Sequence, residues 1–424
     1  MTWPGIRSYL HLDLTLTNRY DQIFLILFVV DIILRVLWLE QPPGSLIFDE
    51  WYYVNVARVI LRIPQSVGAN GQPPYVNVPQ GLDPNHEHPP LAKLLIALSM
   101  YVLGNNGYGW RIPSIIFGSI SILAFYLLMK KISKQEAIPI ISVFLFSFDN
   151  LVFVHSRIAT LDIFSLGFML LGIYWYFSGH SILSAIGMAL SALTKITGIA
   201  GFALIVGVHL VKFINDPTKR RKWDNFFSWF EKYTATYVIV FFLLLTIMDR
   251  YFVGFSYPWD HIKYILNYSA ALTSTCPSGI ISCPWQWLLN QITIPYLRVS
   301  VQTSGATAGN YVSVSFLGAM NPAISFLTIP ALLYCSYNYY QRRDDLSLVA
   351  LALFSVTYLP FYPAVIFGER VTYLFYFLEA VPAVCAAIAY MIADTKLPKW
   401  VVIFYLAVVV YIFIFMFPFQ RIPS

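Results

Sequence analysis

The segment FDEWYYVNVARVI sets Asp49 and Glu50 immediately before a run with apolar and aromatic residues at helical spacing, Trp51, Val54, Ala57, Val59 and Ile60. Such a run reads as an amphipathic helix lying in a membrane interface. An acidic pair at its start is either a reactive carboxylate site or negative charge that complements the helix dipole. A second group, HEHPPLAK, places His86, Glu87 and His88 before Pro89-Pro90, which cannot continue a preceding helix but can start the next one. Three ligands or proton carriers are thereby held at a helix mouth. His and Glu suit a divalent metal such as zinc or manganese, yet the spacing matches no closed metal signature, and hydrogen-bonded loop residues are the plain alternative. The third group is cationic: Arg157 in HSRIATLD, Lys195 in ALTKITG and Arg370 in GERVTYLFYF. A guanidinium fork and a point charge converging from separate helices would suit a phosphate at headgroup level, whereas singly each reads as a snorkelling interface residue. Asp162, shortly after Arg157, is a salt-bridge partner or a second acid, and Asp31 and Arg35, one turn apart, neutralise each other.

The elements that carry these residues are set by composition. Of 424 residues, 58% are hydrophobic, 17% aromatic and only 11% charged. A globular domain carries roughly a quarter charged residues, so the bilayer is the main solvent of this chain. Disordered, collagen, coiled-coil and disulfide-scaffold classes are excluded by the same numbers, and a net charge of +6 spread this thinly gives no reason to expect a nucleic-acid partner. Of the four cysteines, Cys276 and Cys283 in CPSGIISC form a candidate disulfide on an oxidising side, while Cys335 and Cys385 sit in apolar runs and read as packing residues.

A hydrocarbon core of about 30 Å needs about 20 apolar residues per helix, and about eleven runs qualify. They lie near 22–39, 111–130, 137–155, 161–178, 181–195, 198–214, 235–253, 315–334, 346–366, 370–392 and 400–418. The expected fold is an all-α polytopic membrane protein forming one domain over 1–424, with no separate soluble domain and no cleavable signal pattern at its start. The run 91–104 is too short to cross and reads as a half-inserted helix within a first external loop of 40–110. With a cytoplasmic N-terminus, the basic stretches Lys130 to Lys134, Lys212 to Lys222, Arg342-Arg343 and Lys396 to Lys399 all fall inside. Asp49, His86 to His88, Arg157, Lys195, a large loop 254–314 and Arg370 then share the external face.

The order of short segments resembles one family. FDE with its aromatic helix, HPPLAK, WRIPSIIFGS, SRIATLD, TKITG, SCPWQW, MNPAISFL and ERVTYLFYFLEAVP follow one another as they do in the protein O-mannosyltransferases and related polytopic, lipid-phosphate-sugar-dependent glycosyltransferases, over about 45 to 390. No single motif is specific, but eight in order are. The resemblance implies a GT-C-like fold, a polyprenyl-phosphate sugar donor such as dolichyl-phosphate mannose, and Asp49 as the general base, supported by Glu50. Carried over by motif, Arg157 would contact donor phosphate, and His88 and Lys93 match the ends of the family's HPPLGK segment. Glu87 instead resembles the acidic residue before PP in the related aminoarabinose transferases. Where the family tends to place His and Pro, this chain has Tyr376 and Glu379, which opens the identity of the acceptor. The soluble luminal repeats of fungal and animal enzymes are missing from the pattern, so a minimal archaeal or prokaryotic form is the better match.

The function this implies is transfer of a sugar, mannose first, from lipid phosphate to a hydroxyl, with inversion. Protein Ser/Thr is the expected acceptor and a lipid-linked or envelope glycan the alternative. A secondary transporter is the rival from another class, but no second copy of the DE or HPPL pattern is visible, as inverted repeats would require.

Overall fold

The computed structural model describes residues 18–215, 223–302 and 310–419. Most of the segment preceding the first apolar run, and Asp216 to Lys222 of the basic stretch used for orientation, lie outside the described residues.

Apolar runs become helices because a helix satisfies its backbone polar groups internally, as hydrocarbon demands. In chain order these are α1 (Arg19–Val36), α2 (Glu50–Leu61), α3 (Leu91–Leu103), α4 (Gly107–Ile132), α5 (Ala137–Ser147), α6 (Asn150–His155), α7 (Asp162–Phe177), α8 (Ser181–Thr194), α9 (Ile199–Asn215) and α10 (Trp223–Met248). After them come α11 (Pro258–Ala271), α12 (Pro284–Leu288), strands β1 (Ile294–Gln302) and β2 (Asn310–Gly318), then α13 (Pro322–Arg342), α14 (Asp345–Tyr358), α15 (Phe361–Gly368), α16 (Val381–Asp394) and α17 (Lys399–Phe415). Helix α7 packs against both α4 and α8, and α16 packs against α5, α13 and α14.

Five helical segments among the described residues are long and apolar enough to cross a bilayer: Gly107–Ile132, Ile196–Asn215, Trp223–Val253, Asp345–Gly368 and Leu374–Asp394. Five more are apolar but shorter, α3 among them. The first expected run does form a helix, α1, but buries Asp21, Asp31 and Arg35 along its length. The run 137–155 is split into α5 and α6, with Asp149 capping α6 through its bond from the Val152 N–H. The α3 helix, 13 residues, spans only about 20 Å.

The all-α expectation is corrected by an antiparallel hairpin, β1 with β2, registered from Ile294 opposite Gly318 to Gln302 opposite Asn310. IPYLRVSVQ and NYVSVSFLG alternate apolar and polar residues and are rich in β-branched and aromatic side chains, the pattern of a half-buried strand. β2 also runs into the start of the expected span 315–334, whose helix begins only at Pro322.

Candidate active site

The site starts at a turn. Phe48 has a φ of +54°, a conformation a bulky residue adopts at a cost, and the chain then enters α2 with Asp49 as its N-cap. Glu50 anchors this turn. Fully buried, its carboxylate accepts from the backbone N–H of Ile47 at 2.7 Å and of Ala159 at 2.9 Å. Arg111 of α4 holds both its oxygens, at 2.8 and 2.9 Å, and donates to the carbonyls of Leu39 and Ser45 as well. Glu50 therefore ties its own loop to α4 and to the turn before α7.

Asp49 is left with nothing to do for the fold. Its carboxylate has no hydrogen-bond donor or ion-pair partner among the described residues, and it opens onto a cavity of about 930 Å³. Burial pushes its pKa up to about 7, with the carboxylates of Asp162 and Glu87 adding to the effect and Lys195 opposing it. A carboxylate with that pKa is half ionised near neutrality and suited to take a proton.

Glu87, His88, Asp162, Lys195 and Arg370 line the same cavity. Asp162 opens α7, where its charge complements the helix dipole. Lys195 follows the last residue of α8 in extended conformation and donates to Asp162 at 2.5 Å. The turn that carries it needs Gly198, since a Cβ there would stand 2.5 Å from the Ser191 carbonyl carbon. The Lys195 ammonium lies 4.6 Å from the ring centre of Tyr376 and 5.3 Å from that of Phe375, so aromatic faces offset part of its desolvation. Arg370 donates from Nε to Ser269 at 3.1 Å and from Nη1 to the Leu272 carbonyl, and its Nη2 has no hydrogen-bond partner among the described residues. Its segment is clamped by the loop 273–283: Ser274 donates to the Glu369 carbonyl, Ser282 to that of Thr372, and a disulfide joins Cys276 to Cys283. Burial and the nearby Lys195 and Lys93 push His88 down to about 3, so it is a neutral imidazole at this wall. Burial and the nearby Glu87 carboxylate raise the pKa of the Tyr268 phenol in the same wall.

Four residues singled out from sequence do not reach the cavity, His86 among them, which lies edge-on to the rings of Phe255 and Tyr264. Glu50 is spent on Arg111, as above. Lys93 is fully buried in an ion pair with Asp83 at 2.6 Å and donates to the His88 carbonyl at 2.9 Å, folding the loop that carries Glu87 and His88. Arg157 donates to the Leu37 carbonyl at 2.6 Å and lies against the rings of Phe153 and Phe417. The expected convergence of three cations is therefore one of two, because the turn 156–161 directs the Arg157 side chain away from the Asp49 side. Among the described residues no group of three His, Cys, Asp or Glu side chains is arranged to hold a metal ion.

Sequence reasoning missed the aromatic walls, Tyr52, Tyr53, Tyr75, Tyr268 and Tyr373, along with Asn85. In a chain with 29 tyrosines no local pattern sets these apart. Tyr376, flagged as a departure, forms the wall under Lys195; Glu379 is buried behind it and accepts from Ser165 at 3.0 Å.

Residues 87–247 match the family described as dolichyl-phosphate-mannose-protein mannosyltransferase. A polyprenol-phosphate-mannose–protein mannosyltransferase of Mycobacterium tuberculosis is 24% identical over 420 residues, covering 83% of this chain and 76% of the relative. That of Mycolicibacterium smegmatis is 25% identical, covering 91% of this chain and 86% of the relative. In fold, the chain is similar to the Saccharomyces cerevisiae protein O-mannosyltransferase Pmt1–Pmt2 complex bound to the sugar donor, with a TM-score of 0.68 at 12% identity over 97% of this chain and 91% of that one. In sequence the chain is thus similar to the polyprenol-phosphate-mannose–protein mannosyltransferases, and in architecture it shares the polytopic helical fold of the Pmt1–Pmt2 structure.

Proposed function

We propose that this protein transfers a mannosyl group from a polyprenyl-phosphate donor to the hydroxyl of a protein Ser or Thr. The observation that carries the reading is the unpaired Asp49 carboxylate in one cavity with Lys195 and Arg370. The names of the mycobacterial relatives and of the Pmt1–Pmt2 structure support donor and acceptor class.

In this reading the acceptor hydroxyl gives its proton to Asp49 as its oxygen attacks the anomeric carbon. The bond from that carbon to the phosphate oxygen breaks, and the electron pair stays on the phosphate. Lys195 and Arg370 offset the charge that develops there, an interaction stronger in the transition state than in the ground state. Attack opposite to departure inverts the centre. The polyprenyl tail stays in hydrocarbon while its phosphate meets the cations at the membrane surface, which explains why the chemistry is built among apolar helices.

The same reading treats 1–424 as a single membrane domain with about eleven crossings, a cytoplasmic N-terminus and an active site on the external face, supported by the distribution of Lys and Arg. The test is transfer of labelled mannose from polyprenyl-phosphate mannose to a Ser/Thr peptide by purified protein in detergent, with Asp49→Asn as control. Transfer by wild type alone is expected; equal counts in both, or label only on an added glycan, would overturn it.

A further inference from the structure

One phenol outside the cavity lining touches the supports of both sides of the proposed chemistry. Tyr296 lies on β1 with its side chain buried. Its ring is stacked on Phe48, with centroids 4.0 Å apart and planes at 17°, and Phe375 meets Phe48 edge-on at 5.5 Å. Phe48 is the residue whose left-handed φ of +54° launches Asp49 into α2, and such a conformation persists only where its surroundings over-determine it. The ring contacts with Tyr296 and Phe375 are part of that surrounding, beside the bonds of Glu50.

The hydroxyl of the same residue reaches the other side. It lies 2.9 Å from His155 Nε2, while His155 Nδ1 is 3.1 Å from the Thr160 hydroxyl and 3.8 Å from Asp162. A carboxylate beside Nδ1 favours the proton there, which makes Tyr296 the donor to Nε2. Asp162 in turn accepts from Lys195. Gly318, paired with Ile294 across the hairpin, leaves the phenol its place: a Cβ there would stand 2.4 Å from the ring carbon bearing the hydroxyl and from the hydroxyl itself.

We infer that Tyr296 is a positioning residue for glycosyl transfer: its ring holds the Phe48 turn that aims Asp49, and its hydroxyl fixes His155, whose other nitrogen meets the Thr160 hydroxyl in the turn that leads into Asp162, the partner of Lys195. The inference rests on the reading of Asp49 as base and Lys195 as donor contact. It assigns the external hairpin a part in catalysis without contact to substrate. The contrary view is that Tyr296 only seats the hairpin on the bundle, in which case its loss lowers stability and nothing else.

The two functions separate by substitution. Tyr296→Phe keeps the ring and loses the hydroxyl, so the donor KM is expected to rise about tenfold while kcat and the acid limb of the pH profile stay near wild type. Tyr296→Leu loses both, so kcat is expected to fall tenfold or more and the acid limb to move to lower pH as water reaches Asp49. Gly318→Ala, which displaces the ring without removing it, is expected to follow Tyr296→Leu. Wild-type kcat, donor KM and pH limb in Tyr296→Phe and Gly318→Ala, with Asp49→Asn inactive, would overturn the positioning role and leave the base assignment standing. Retained transfer by Asp49→Asn would instead remove the base assignment and the inference with it. Should Tyr296→Leu fail to fold, Tyr296→Phe decides: an unchanged donor KM overturns the inference.

Discussion

Asp49 and Glu50 are neighbours in sequence and opposites in environment: Glu50 is fully buried and gripped by Arg111 at 2.8 and 2.9 Å, while Asp49 faces the cavity with no partner among the described residues. One carboxylate is consumed in holding the turn, and the other is left free to react. That division of labour makes the two positions respond differently to substitution.

Asp49→Asn is expected to lower transfer by about 10²–10⁴-fold, the usual contribution of a positioned base. It should also melt higher than wild type at pH 8. The raised pKa means that folding disfavours the ionised form, a cost that Asn does not carry and that shrinks in the wild type as pH falls from about 7 toward 4. Thermal melts of both proteins from pH 8 to pH 4 check this; a gap that widened on acidification would contradict the sign.

Activity should follow ionisation of the base. With Asp49 raised to about 7, kcat/KM for the wild type is expected to fall about tenfold per pH unit well below that value. A rate that stays flat down to pH 5 would assign the proton to another group.

Glu50→Ala leaves Arg111 buried without its partner, and breaking such a pair costs about 3–5 kcal/mol. Arg111→Ala should cost about as much, and the double replacement less than the sum. Denaturation of the three variants in detergent measures the coupling. Strict additivity would mean that the pair does not act as one unit.

Lys195→Ala and Arg370→Ala are expected to raise the donor KM about ten- to a hundred-fold, as loss of a charged contact worth roughly 1.5–3 kcal/mol implies. Arg157→Ala should instead lower stability and leave donor KM unchanged, since that guanidinium packs on Phe153 and Phe417 away from the cavity. Donor titrations on folded proteins would reverse the assignment if only Arg157→Ala were impaired.

The loop closed by Cys276 and Cys283 holds the strand-like segment that carries Arg370. Replacing both cysteines with serine is therefore expected to raise donor KM more than it lowers kcat. Thiol reagents should label the wild type at these positions only after reduction; labelling without reductant would rule the bond out.

Much of this protein is local and therefore readable from the chain. Too few charges for a water-facing surface, apolar runs long enough for helices, Pro89-Pro90 opening the short α3 and aromatic spacing after Asp49-Glu50 are properties of neighbouring residues, and the helices α2 and α3 follow from them. Residue type likewise marked Asp49, Glu87, His88, Asp162, Lys195 and Arg370, which the fold gathers around one cavity, because ionisable groups among apolar helices are costly wherever they stand. Which face of the bundle each of them meets is not a local property. Lys93 and Arg157 carry the same charges as Lys195 and Arg370, yet one is enclosed beside Asp83 and the other lies on Phe153, both outside the cavity that Lys195 and Arg370 line, outcomes decided by packing between distant segments. Tyr296 and His155 stand 141 positions apart and meet at 2.9 Å only because the hairpin folds back onto the turn before α7. A hydrogen bond of that reach leaves no trace in spacing or hydropathy; tertiary structure alone decides which tyrosine of 29 makes it.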